Sequence, residues 1–352
     1  MTRKDGTMQN ESYLLWLSKK TNTVWWVDSG DPDEISRALE SGCKGITTNP
    51  MHINTAVEAC RLRYREEIKS ILDGKHDPNT QAADLSKLIV TKAAKQVEKI
   101  YRSGNALKGY VCAQINPYHA GQREEMLRAA REFHAWAPNI AVKLPVTQAG
   151  LDVLEECISI GITVTATVSF TVSQVLAAAE RHRKGSDRAR KNGVEPGRCF
   201  AVIMLARTND FLREVAQDSR AGLRERDLDC AGVAVVKRAY SIFKARNYEA
   251  VLLIGSFKES FQVCELAGAD LILTINPAFQ NRLLSLKLPL ENRIDAPVPE
   301  ESLARLLELP DFRRAYEPGG LDPEEFIKYA ATQRCLTDFR DRGWDRLTGF
   351  KL

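Results

Sequence analysis

The chain has 352 residues, 44% of them hydrophobic and 27% charged, with 50 Lys and Arg against 46 Asp and Glu. A mean hydropathy of −0.30 and a formal net charge of +4 describe a water-soluble globular protein with enough apolar residues for a large core. They argue against a nucleic-acid partner, and the longest apolar runs, at residues 199–206 and 250–255, are far too short to cross a bilayer.

In chain order, Met1-Thr2-Arg3-Lys4-Asp5-Gly6 is polar and leads into Tyr13-Leu14-Leu15-Trp16-Leu17, an apolar patch without a small-residue cleavage site. No signal peptide is expected, and the chain reads as cytoplasmic. Apolar segments of strand length follow at residues 24–29, 45–48, 110–115, 140–144, 162–168, 199–205, 250–255 and 270–275. Helix-periodic stretches separate most of them. Residues 120–137 put Met126, Leu127, Ala130, Phe133 and Ala137 on one stripe, and Asp31-Pro32 supplies an N-cap and a first-turn proline for 32–40. Gly42, Gly161 and Gly268 each end a helical stretch just before a strand. This alternation predicts an α/β fold, a closed (β/α)8 TIM barrel. No G-x-G-x-x-G or P-loop follows any strand, which counts against an open nucleotide-binding sheet.

Three regions exceed a minimal barrel. Residues 51–107 separate the second and third strands, with a polar turn at Asp73-Gly74-Lys75-His76-Asp77-Pro78 and a helix over 82–102. Residues 210–247 place two helices between the sixth and seventh strands. Beyond residue 285 a linker holding Pro289, Pro297 and Pro299 leads to helices near 300–307 and 323–342. The expected organisation is a barrel over 1–285 and a helical C-terminal extension over 286–352 packed on it, one domain overall. The basic run from Arg181 to Lys191 has no interleaved aromatics for stacking bases and reads as a solvated helix end and loop. The eight cysteines (43, 60, 112, 157, 199, 230, 264 and 335) form no C-x-x-C and are expected as buried free thiols, and the five histidines have no metal-ligand spacing.

Catalytic side chains in such a barrel come from the carboxyl ends of several strands. The polar residues at those ends are Asp28, Asn49, Gln114, Lys143, Thr165, Thr167, Arg207, Ser256 and Lys258. Each has a plain structural alternative: Asp28 as a turn cap, Asn49-Pro50 as a turn pair, the two threonines as ordinary strand residues, Lys143 as a snorkelling surface amine. Lys143 stands apart because its run, Ile140-Ala141-Val142-Lys143-Leu144-Pro145-Val146, is otherwise apolar. An amine there loses hydration, which lowers its pKa and exposes the free base that attacks carbonyls.

Val27-Asp28-Ser29-Gly30-Asp31, Gly45-Ile46-Thr47-Thr48-Asn49-Pro50, Val142-Lys143-Leu144-Pro145 and Ser256-Phe257-Lys258 ahead of Leu266-Ala267-Gly268-Ala269-Asp270 together resemble the transaldolase family, in register from about residue 12 to 285. The resemblance implies a class I aldolase barrel that needs no cofactor or metal and moves a dihydroxyacetone unit from a ketose phosphate to an aldehyde. By position, Lys143 would be the Schiff-base nucleophile and Asp28 the acid/base at the cleaved bond. Gln114 and Thr167 would hold the water used in imine chemistry, Asn49 and Thr165 substrate hydroxyls or the imine region, and Arg207, Ser256 and Lys258 a terminal phosphate. Ser256 is further expected to open a helix whose first amides face that anion.

The resemblance has departures. Gln114 stands where many transaldolases carry Glu, whereas the fructose-6-phosphate aldolase branch has Gln there. Met204 stands where that branch has Tyr and transaldolases Phe, and Val202 where transaldolases have Ser. Alternatives to transfer are therefore free aldol cleavage, a ketose with another anionic tail such as a sulfonate, and a non-catalytic sugar-phosphate binder, against which the pairing of Asp28 with Lys143 argues. The expected partner is a sugar phosphate, with no nucleic acid and no membrane. Assembly into a homo-oligomer stays open.

Overall fold

The computed structural model describes residues 12–74, 76–104 and 107–352. Eight strands close into a parallel barrel in chain order: β1 (Val24–Asp28), β2 (Ile46–Thr47), β3 (Val111–Gln114), β4 (Ile140–Pro145), β5 (Val164–Thr167), β6 (Cys199–Met204), β7 (Val251–Gly255) and β8 (Ile272–Ile275), which pairs back to β1. Every expected strand forms within two residues of its expected ends. Helices surround the barrel and continue past β8, as the alternation predicted.

Successive strand residues point to opposite faces, so each strand sends every second side chain into the barrel. Trp26, Tyr110, Cys112, Ala141, Phe200 and Leu253 pack into an apolar plug at the amino-terminal half. The Trp26 and Phe200 rings meet edge to face at 5.0 Å. Gly45 makes this possible: a Cβ there would stand 2.5 Å from the Trp26 indole. Towards the carboxyl ends the inward positions turn polar, with Asp28, Thr47, Lys143, Thr165 and Thr274 lining a cavity above the plug.

Several helices differ from expectation for identifiable reasons. The helix expected over 82–102 is Pro78–Arg102, because Asp77 accepts from the Asn79 and Thr80 amides and Pro78 takes the first turn. Lys75 of the expected polar turn lies outside the described residues. The basic run forms no loop: the helix Val172–Lys191 continues through it. Gly185 lets that helix approach its neighbour, since a Cβ would meet Glu155 O at 2.7 Å. Its arginines are paired, Arg181 with Asp152 and Glu155, Arg188 with Glu156, Arg190 with Glu249. The helix expected over 323–342 breaks into Pro323–Phe326, Ala330–Phe339 and a π turn Arg340–Trp344. Tyr329 leaves helical geometry (φ −60°, ψ 130°) and packs its ring between Phe170 and Phe211.

The patch at 13–17 is the amphipathic part of a helix, Tyr13–Lys20, which buries Tyr13, Leu14, Trp16 and Leu17, while Met1 to Gly6 lie outside the described residues. All eight cysteines are free thiols, and only Cys230 is less than buried. Among the described residues no helix is long and apolar enough to cross a membrane, and no cluster of His, Cys, Asp and Glu is placed to hold a metal ion.

Candidate active site

The cavity above the plug holds about 220 Å³ and opens at the carboxyl ends of the strands. It gathers eight of the nine residues singled out in the sequence: Asp28, Asn49, Lys143, Thr165, Thr167, Arg207, Ser256 and Lys258. Gln114 stays outside its lining. It ends β3 directly beside Lys143 in register, and its buried Oε1 has no protein partner.

Lys143 reaches up from β4 with 7% exposure, and its ammonium donates to the Thr48 carbonyl at 3.0 Å. Facing it from β1, Asp28 accepts from Thr47 Oγ1 at 2.6 Å and lies 3.1 Å from His52 Nδ1. Thr47 spends its only proton on Asp28, so the Thr274 hydroxyl, 2.5 Å away, donates to Thr47. Burial pushes the Asp28 carboxyl up, but the neighbouring His52 ring, the Lys143 charge and the Thr47 hydrogen bond outweigh it and hold the group below its usual range.

Asn49 is the N-cap of the helix Pro50–Ala59. Its Oδ1 accepts from the Met51 and His52 amides, which fixes Nδ2 as the atom left for other partners. Thr165 is fully buried, its hydroxyl 3.1 Å from the Cys112 thiol, whose pKa burial pushes up to about 11. Thr167 also faces the cavity, and its buried hydroxyl is unpartnered. The next residue, Val168, has φ 57°, a conformation that costs a β-branched residue strain and turns the chain sharply after β5.

At the far side of the cavity, the cations are already engaged. Arg207 Nη1 meets Asp338 Oδ2 at 2.7 Å, and Lys258 Nζ meets both oxygens of Asp210 at 2.6 and 2.7 Å. Ser256 does not open a helix. It sits in a left-handed bend (φ 65°), and the following helix starts only at Ser260, because the Gln262 side chain accepts from the Lys258 and Glu259 amides. Val202 and Met204 also line the cavity, and Cys335 Sγ lies 3.7 Å from Met204 Sδ.

Thr47, His52, Thr274, Asn276 and Phe339 also line the cavity and were not singled out from the sequence. Thr47 and Thr274 look like ordinary strand residues. His52 had a readable signal: with Asn49 as cap, it falls in the first turn of the helix, on the side that caps the barrel mouth.

The model of the transaldolase/fructose-6-phosphate aldolase family matches residues 25–310, well over half of the chain. The chain is similar to a transaldolase of Neisseria gonorrhoeae, 26% identical over 228 residues that cover 64% of this chain and 62% of that protein. It is also similar to transaldolases of Mycolicibacterium paratuberculosis (24% identical, 71% and 70% covered) and Streptomyces avermitilis (25% identical, 72% and 68% covered). The chain thus spans about three-fifths of the Neisseria gonorrhoeae relative. With an eight-stranded parallel barrel, a lysine and an aspartate facing each other at its carboxyl end, and this match across all eight strands, the chain belongs to the transaldolase/fructose-6-phosphate aldolase family.

Proposed function

We propose that the chain is a transaldolase that carries a dihydroxyacetone unit from a ketose phosphate to an aldehyde through an imine on Lys143. The observation that carries this reading is the opposition of Lys143 and Asp28 across one cavity, both tied to neighbours that fix their direction. The amine attacks the ketose C2, water leaves, and the imine withdraws electrons from the C3–C4 bond. Asp28 accepts the C4 hydroxyl proton as that bond breaks. The resulting enamine adds to the acceptor aldehyde, and the steps reverse. Asn49 Nδ2 and Thr165 are available for substrate hydroxyls. The unpartnered Thr167 hydroxyl and Gln114 Oε1 suit the water that leaves and returns, which an amide can orient but not deprotonate. Arg207, Ser256 and Lys258 would receive the anionic tail.

Borohydride reduction with fructose 6-phosphate or dihydroxyacetone should add a three-carbon unit to the peptide holding Lys143, and Lys143→Ala should abolish it. Label on another lysine would refute the assignment.

A second reading concerns the tail. Arg207 and Lys258 are each matched by a carboxylate, so the anion end carries less positive charge than two free cations would supply. That favours a monoanion such as a sulfonate over a phosphate dianion. Competition of a sulfonated ketose against fructose 6-phosphate in the trapping reaction separates the two.

A further inference from the structure

His52 stands on the first turn of the Pro50–Ala59 helix, lines the cavity, and has Nδ1 3.1 Å from Asp28 Oδ1. The same Nδ1 lies 3.1 Å from Asn49 Nδ2. These two neighbours are of opposite kind. A bare Nδ1 can accept from the Asn49 amide, whose orientation the helix cap fixes, and a protonated Nδ1 can donate to the Asp28 carboxylate. Both protonation states of Nδ1 therefore have a partner atom within 3.1 Å.

We propose, building on the imine reading above, that His52 holds the proton that Asp28 takes from the substrate and returns it when the acceptor adds. At cleavage the C4 hydroxyl gives its proton to Asp28, the O–H pair becomes the second bond of the leaving aldehyde, and the C3–C4 pair moves into the imine to form the enamine. Asp28 passes the proton to the lone pair of Nδ1, giving an imidazolium against a carboxylate. On addition the C3–C4 bond re-forms, and Nδ1 returns the proton through Asp28 to the new alkoxide. Protons and electron pairs balance, and no further reagent enters.

The site needs such a group for two reasons visible in its geometry. Gln114 cannot take a proton, so it offers Asp28 no relief. Asp28 is held in its ionised form by the Thr47 hydrogen bond and the Lys143 charge, which makes it a poor place for a proton to wait. His52 acts through Asp28 and does not touch the breaking bond.

The test is exchange of labelled glyceraldehyde 3-phosphate into fructose 6-phosphate, which requires both cleavage and addition. In His52→Ala the exchange kcat should fall about 100-fold or more with KM nearly unchanged, the scale of a lost acid/base group, and imidazole added to the buffer should restore part of it. His52→Asn, which can still hydrogen-bond to Asp28 but cannot hold a proton, should stay slow. Full exchange in His52→Asn, or a slow His52→Ala that imidazole does not rescue, would overturn the proposal and leave His52 a prop for Asp28. The borohydride adduct on Lys143 of the unaltered protein is the separate control: its absence refutes the imine reading itself.

Discussion

Asp338 and an incoming anion compete for Arg207, and the substitution Asp338→Asn isolates that competition. Arg207 and Asp338 meet at 2.7 Å at the cavity edge, with side chains 26% and 35% exposed. An anion seated on the same guanidinium would lie roughly 6 Å from the carboxylate. In a water-like dielectric the repulsion is about 0.7 kcal/mol per unit of charge, so about 1.4 kcal/mol for a dianion, or tenfold in binding. Screening at physiological salt takes this to about half, or ~3-fold. Asp338→Asn should therefore lower KM for fructose 6-phosphate by about 3- to 10-fold, with the larger effect at low ionic strength. It should leave KM for unphosphorylated fructose unchanged, while Arg207→Ala raises KM for the phosphorylated ketose. The assay is steady-state transfer at two salt concentrations. An unchanged or raised KM, or an equal drop for both ketoses, would refute the reasoning and make Asp338 the strut that holds Arg207 in position.

Other substitutions follow from the same geometry. Gln114→Glu should raise the transfer rate by supplying a proton-moving group beside Lys143, and Met204→Tyr should raise release of free dihydroxyacetone measured without an acceptor. Because Asp28 is held below its ordinary range in the folded chain, its ionised form adds stability above about pH 4 that is lost as the pH falls further. The stability gap between the unaltered protein and Asp28→Asn, read from urea unfolding, should accordingly shrink as the pH drops below about 4, and a constant gap would contradict the origin assigned to the shift. Gly45→Ala forces a methyl against the Trp26 indole and should cost about 1–3 kcal/mol in unfolding free energy.

The strands were readable because a parallel barrel buries both faces of each, leaving short unbroken apolar runs bounded by turn residues. The helix starts were readable to a greater depth than one example suggests. Asp31-Pro32, Asn49-Pro50, Asp77-Pro78, Asn116-Pro117 and Asn276-Pro277 all place an Asx side chain on backbone amides with proline in the first turn. Reading Asn49-Pro50 in that way would have set His52 beside the barrel mouth. Lys143 and Asp28 were legible as polar residues in apolar strands. What stayed hidden were pairings across long sequence separations, such as Asp338 with Arg207 and Thr274 with Thr47, since nothing local to either residue names its partner.

The segment that supplies Phe339 and Asp338 gives the site an order of assembly. All eight strands have been made once residue 275 is joined, so the barrel can close while the last wall of its cavity is still unsynthesised. At ~5–20 residues per second, the stretch from β8 to Phe339 takes about 3–13 s. During that interval Arg207 has no Asp338 to meet, and the mouth above Lys143 lacks the Phe339 ring. A nascent chain would thus pass through a closed barrel with an open, unmatched cation, and the arrival of the Ala330–Phe339 helix would neutralise that charge and narrow the mouth together.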